Sequence, residues 1–180
     1  MMYPSDVSPD GHILLYTRAL TSSTDLWYVP LAGDTTPHSF VETMFFERDG
    51  QFSPDGKWVA YQANDSGHFE IYLQAFPGPG ERIPVSAGGG QQPRWAKRSG
   101  ELFYIARDQR LTSVPVTFAP GRTPVLGRPT PLFRTEFDNN FQSRQQYVVS
   151  PDGQRFLINT STNVLDPPSI TLILNWKGAP

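Results

Sequence analysis

Short runs of aliphatic, β-branched and aromatic residues recur along this chain, and each follows a polar turn. The runs are Ile13-Leu14-Leu15-Tyr16-Thr17, Trp58-Val59-Ala60-Tyr61, Leu102-Phe103-Tyr104-Ile105 and Phe156-Leu157-Ile158. Between the second and third, Ile71, Leu73 and Ala75 alternate with Tyr72 and Gln74, the two-residue period of a half-buried strand. Long apolar runs at 3.6-residue spacing are absent, so the pattern predicts many short strands and no helical repeat.

The turns repeat as well. Ser8-Pro9-Asp10-Gly11, Ser53-Pro54-Asp55-Gly56 and Ser150-Pro151-Asp152-Gly153 are identical, and Trp95-Ala96-Lys97-Arg98-Ser99-Gly100 is a worn copy. Proline presets φ for the second position of a type I turn, Asp tolerates the third and can accept nearby amides, and Gly takes the positive φ that follows. Such a turn joins two antiparallel strands with a bulge at the Gly. Val7, Phe52 and Val149 precede the three intact copies.

Ser8 to Ser53 is 45 residues, Gly56 to Gly100 is 44 and Gly100 to Gly153 is 53. A period in the forties with several strands per unit is the signature of propeller blades. The sequence predicts an all-β propeller of about four blade-like units of four antiparallel strands, spanning about 1–45, 46–88, 89–140 and 141–180. Residues 1–7 supply one short strand, and Ser39-Thr43 and Arg82-Val85 are outer strands. Phe118 to Arg134, with four prolines, is expected to be loop with at most one outer strand. The fourth unit counts three strands, and an open arc would leave sheet edges that pair or aggregate.

Composition narrows the function classes. The net charge of -2 provides no basic stripe for nucleic acid. The absence of cysteine excludes disulfides, thiolate metal sites and a cysteine nucleophile. Met1 to Asp6 has neither the basic nor the apolar region of a signal peptide, and no apolar run approaches a membrane span. The compartment, periplasmic or cytoplasmic, stays open.

No residue set reads as catalytic, and no cofactor or metal site is expected. A Gly-rich phosphate loop with its strand lysine, His-Arg-Asp, Asp-Phe-Gly and a Gly-x-Ser-x-Gly elbow are all missing. Gly88-Gly89-Gly90 precedes a strand rather than a helix, so it is not a phosphate cradle. His12, His38 and His68 are expected in exposed turns. Asp10, Asp55 and Asp152 are expected to brace their own turns, and Asp138-Asn139-Asn140 lacks the spacing of a calcium loop. Trp27, Trp58, Trp95 and Trp176 fall on strands and read as core. The candidate binding site is a ring at one mouth of the channel. Arg48-Asp49, Gln91-Gln92 and Arg144-Gln145-Gln146 stand just before the inner strands, with Arg94 beside Trp95. From this set Arg48, Gln92, Arg94, Arg144 and Gln146 are the candidate ligand-binding residues.

Phe52-Ser53-Pro54-Asp55-Gly56-Lys57-Trp58-Val59-Ala60-Tyr61 closely resembles the WD40-like, TolB-type β-propeller repeat, and the other two intact turns match it in the turn. The ending Ser169 to Trp176 is similar to that of propellers appended to some bacterial serine/threonine kinase-like proteins. Such propellers usually have six to eight blades, so the resemblance implies the C-terminal part of a larger propeller, a short reading frame derived from one, or a homodimer closing an eight-bladed ring. It also implies a non-enzymatic module that binds a protein, peptide or ligand, as the sensor or scaffold part of a bacterial signalling protein. The alternative is a regulatory cap fragment of a prolyl-oligopeptidase-like hydrolase.

Overall fold

The computed structural model describes residues 1–135, 145–159 and 170–173. Among them are four antiparallel sheets and no helix. The first comprises β1 (Met2–Val7), β2 (Ile13–Ala19), β3 (Thr24–Pro30) and β4 (His38–Val41) in that order. The second comprises β5 (Glu47–Phe52), β6 (Trp58–Ala63), β7 (Glu70–Ala75) and β8 (Arg82–Pro84). In the third, β9 (Gly90–Ala96), β10 (Glu101–Ala106) and β11 (Arg110–Thr117) are followed by β12 (Val125–Leu126) and β13 (Thr130–Arg134). The fourth shows β14 (Tyr147–Val149), β15 (Phe156–Asn159) and β16 (Ile170–Ile173).

The three intact turns are built alike. Ser53 Oγ donates to Asp55 Oδ1 at 2.6 Å and accepts the Trp58 amide at 3.0 Å, while Gly56 donates to the Ser53 carbonyl at 2.9 Å. Ser8 with Asp10, and Ser150 with Asp152, repeat this set. Each Asp therefore braces its own turn, as expected. The glycines sit at φ 78°, 70° and 74°, where a side chain would strain the backbone.

The worn copy keeps the register and moves its glycine. Aligning it by its glycine puts Gly100 opposite Gly56, but the structure aligns Trp95 with Phe52. Phe52 pairs with Val59 and Trp95 with Leu102, seven residues on in both cases. The third turn has the same length, but its glycine comes one residue later, with Gly100 donating to the Ala96 carbonyl. This matters because a one-residue slip exchanges the two faces of a strand.

Adjacent sheets pack face to face through three apolar clusters. Leu15, Leu26 and Phe40 meet Phe52, Val59, Tyr61 and Tyr72. Ala60, Ile71 and Leu73 meet Trp95, Leu102, Tyr104 and Val114. Ala96, Phe103 and Leu111 meet Tyr147, Phe156 and Ile158. The inner strands β1, β5, β9 and β14 neighbour one another in chain order.

Three expectations are corrected. The stretch from Phe118 to Arg134 holds two short strands, β12 and β13, because β11 is long enough to pair with one at each end. Arg48 and Gln92 lie within β5 and β9 rather than in the loops before them. His38 begins β4 and stacks on Tyr28 with ring centroids 5.2 Å apart, so it is a strand residue rather than a turn residue. Trp176 and Asp138-Asn139-Asn140 lie outside the described residues.

Gly90 starts β9 where it crosses the second sheet. A Cβ there would stand 2.6 Å from Ser86 Oγ and 2.9 Å from Ile71 Cγ1. Overfilling a packed site typically destabilises by about 1–3 kcal/mol. Gly90→Ala is expected to lower unfolding free energy by that amount in urea titrations, and an unchanged midpoint would show the contact to be soft.

Candidate functional site

The first three inner strands share one irregularity. Each carries an extra residue opposite a tyrosine of the next strand: Pro4 and Ser5 face Tyr16, Asp49 and Gly50 face Tyr61, and Gln92 and Pro93 face Tyr104. Asp49 and Gln92 adopt positive φ there, 58° and 57°. A bulge bends the strand and re-aims the side chains after it. Just beyond each bulge comes a polar residue directly before the apolar residue that starts the turn: Asp6, Gln51 and Arg94.

These three polar residues form a chain across the inner strands. Arg94 Nη1 donates to Gln51 Oε1 at 2.9 Å, and Gln51 Nε2 donates to the Ser5 carbonyl at 2.9 Å. Asp6 Oδ2 accepts the Phe52 amide at 2.9 Å. Burial pushes the Asp6 carboxyl up, opposed by the Phe52 and Val7 amides and by the positive charges of Lys97 and Arg94. Lys97, on the third turn, and Asp6 line one depression of about 470 Å³ beside the first turn, together with Val7 and Leu14. Arg94 Nε is buried with no hydrogen-bond partner among the described residues.

Of the predicted ring, the described residues show one direct link. Gln92 and Gln146 are joined directly: the Gln146 amide donates to Gln92 Oε1 at 2.8 Å and Gln92 Nε2 to Gln146 Oε1 at 3.1 Å. The Gln92 amide donates to Gln62 Oε1 at 2.6 Å, and its carbonyl accepts the Tyr147 hydroxyl at 2.9 Å. This pair therefore fastens the third sheet to the fourth. The Arg48 guanidinium lies 4.6 Å from the Phe69 ring centre and 3.7 Å from Asp49. Arg144 lies outside the described residues. Sequence reasoning missed Asp6, Gln51 and Lys97. Aligning the units on the residue before each turn would have found the first two, because they then share Arg94's position.

No protein-family profile matches the chain, and no curated protein sequence matches it. Solved structures do. TolB from Acinetobacter baumannii superposes with a TM-score of 0.64 at 16% identity, covering 94% of this chain and 39% of that one. A protein assigned as TolB from Agrobacterium tumefaciens gives 0.55 at 16% identity, over 73% of this chain and 50% of the other. A protein assigned as a 6-phosphogluconolactonase from Bacteroides uniformis gives 0.52 at 15% identity, over 96% and 55%. The fold is that of the TolB-type propeller. The chain spans well under two thirds of each of these proteins. In a propeller the inner strands border the central channel, which is where the Asp6–Gln51–Arg94 chain stands.

The Gly-rich loop is engaged within the second sheet. Gly88 and Gly89 donate their amides to Glu70 Oε1 at 2.7 and 2.8 Å, His68 Nε2 approaches the same oxygen at 2.8 Å, and the Ser86 hydroxyl bonds Oε2. The anion in this amide nest is the protein's own carboxylate. Burial alone would raise the Glu70 carboxyl, but the Ser86 hydroxyl, the two glycine amides and His68 outweigh it and hold it below the ordinary value. The folded state thus binds fewer protons than the unfolded state on the acid side. This stabilisation is in full above the unfolded pKa of about 4.3 and fades as pH falls through the folded value. Glu70→Gln is expected to lower stability at neutral pH by about 1–3 kcal/mol and to flatten the acid limb of a stability-against-pH curve. A variant with the parent's acid limb would show that another carboxylate governs it.

Proposed function

We propose that the chain is a non-enzymatic binding module that takes a carboxylate-bearing peptide or small ligand at its inner strands. In this reading it is the sensor or scaffold part of a larger bacterial signalling protein. The observation that carries the binding is the pair of cations whose charge reaches Asp6: Lys97 lines a depression together with Asp6, and Arg94 stands on β9 bonded to Gln51. Two cations against one acid favour an anionic guest, and Gln51 holds Arg94 in place before the guest arrives. No histidine lies on any inner strand, so the row offers no neutral-pH base beside its donors. The signalling context draws on the similarity of the chain's ending to kinase-appended propellers. The hydrolase-cap alternative draws on fold alone and gains no residue from the site.

A titration of the ¹⁵N-labelled chain with acetylated tri-glutamate tests the reading. Amide shifts are expected to centre on Gln51, Phe52 and Trp95, and Arg94→Ala should weaken binding about tenfold, the loss of one charge-assisted contact. Binding that ignores Arg94→Ala, or no shift along the inner strands at millimolar peptide, would reject it.

A further inference from the structure

A second concave surface lies away from the inner-strand row. It is a groove of about 600 Å³ at the turn-bearing ends of the second and third sheets, within the size range of ligand-binding clefts. One wall is the start of β6 with the turn before it and the end of β7. The other is the loop that follows β11. Trp58, Phe76 and Phe118 are its aromatic surfaces, each half-buried.

These rings are fixed in place by their buried sides. Phe118 packs on Trp95 with ring centroids 5.7 Å apart. Phe76 meets Phe52 and Tyr28 edge-on, both at 4.9 Å. Trp58 leans on the cluster between the second and third sheets. A guest side chain would therefore meet rings that are already ordered, which spares the entropy of arranging them.

The rim decides the guest. Lys57 and Arg122 are exposed and line the groove, and neither forms an ion pair among the described residues. Asp55 is also at the rim, but its Oδ1 is engaged by the Ser53 hydroxyl and the Lys57 amide. In a chain of net charge -2 this rim carries one excess positive charge over an aromatic surface. We propose that the groove is a docking site for a short linear peptide segment with an aromatic or aliphatic side chain between acidic residues. The apolar side chain lies against Trp58 and Phe118, and the flanking carboxylates meet Lys57 and Arg122. The site is independent of Arg94 and goes beyond the channel reading.

The test uses the whole chain and two probe peptides in calorimetric titrations at low salt. One is Ac-Asp-Glu-Phe-Asp-Glu-NH2, and the other replaces each acid by lysine. The acidic peptide is expected to bind and the basic one to bind at least tenfold more weakly. The Lys57→Glu/Arg122→Glu pair, both exposed and therefore neutral to folding, should reduce acidic-peptide affinity at least tenfold. Trp58→Leu should do the same, with its melting temperature recorded to separate loss of fold from loss of binding. The same titrations are run in an Arg94→Ala background, which removes the inner-strand contact; there the acidic peptide should still bind, and should still lose at least tenfold on the Lys57→Glu/Arg122→Glu change. Equal binding of both peptides, indifference to the double charge reversal, or loss of all acidic-peptide binding in the Arg94→Ala background would each overturn the groove assignment. The last outcome would at the same time place acidic peptides on the inner strands.

Discussion

The sheet of β5–β8 is buried on both faces, with Val59 and Tyr61 turned to the first sheet and Ala60, Ile71 and Leu73 to the third. Strand side chains alternate with a period of two, so on such a sheet a single-residue slip would move two apolar sets at once. Everything else in the arc follows from meeting this condition in sheet after sheet. The third sheet meets it with Leu102 and Tyr104 on the side facing the second and Phe103 and Ile105 on the side facing the fourth. Its turn has lost serine, proline and aspartate, yet Trp95 still pairs with Leu102 as Phe52 does with Val59. The face pattern is therefore held by packing, and the turn adapts to it. Trp95 contributes more than bulk, since its indole Nε1 donates to the Gln51 carbonyl at 3.2 Å and so ties the third sheet to the second at the channel wall.

Where the turn is intact, Ser, Asp and Gly form a closed set of hydrogen bonds that needs no neighbour. Where it is worn, the neighbour takes over: the Arg98 amide donates to the Pro151 carbonyl of the fourth sheet's turn at 2.8 Å. Buried or half-buried backbone donors must be met somewhere. The loss of an internal set and the gain of an external bond are two ends of the same accounting.

The middle strands were legible because they are short apolar runs bounded by recognisable turns. Ile13–Ala19, Trp58–Ala63, Glu101–Ala106 and Phe156–Asn159 all begin within a few residues of where the pattern places them. The inner strands were legible only at their turn ends. Gln91-Gln92-Pro93-Arg94 has no strand character in composition, and Pro93 cannot donate to a ladder. It is accommodated because the bulge opposite Tyr104 takes both Gln92 and Pro93 out of register. That bulge also separates the roles of Gln92 and Arg94. Gln92, in the bulge, is held in sheet-to-sheet bonds, while Arg94 after it lies in the row with Gln51. The tyrosine that marks each bulge was visible as Tyr16, Tyr61 and Tyr104, but its meaning depends on an alignment that the glycine of the third turn obscures.

The bulges also explain how a polar row can exist beside so dense a core. A regular inner strand would send alternate residues into the neighbouring sheets, where an unpaired arginine or aspartate is expensive to bury. Inserting one residue shifts the phase of the strand's last segment. Phe52 and Trp95 then reach the apolar clusters, and the residue before each is turned toward the neighbouring inner strand, where Gln51 serves Arg94 and the Ser5 carbonyl together. In the fourth sheet the corresponding strand has no bulge: Tyr147, Val148 and Val149 pair in unbroken register with Ile158, Leu157 and Phe156. There the position of Asp6, Gln51 and Arg94 is held by Val148, an exposed apolar residue. Among the described residues the polar row therefore stops where the bulges stop, and it is a property of the first three sheets.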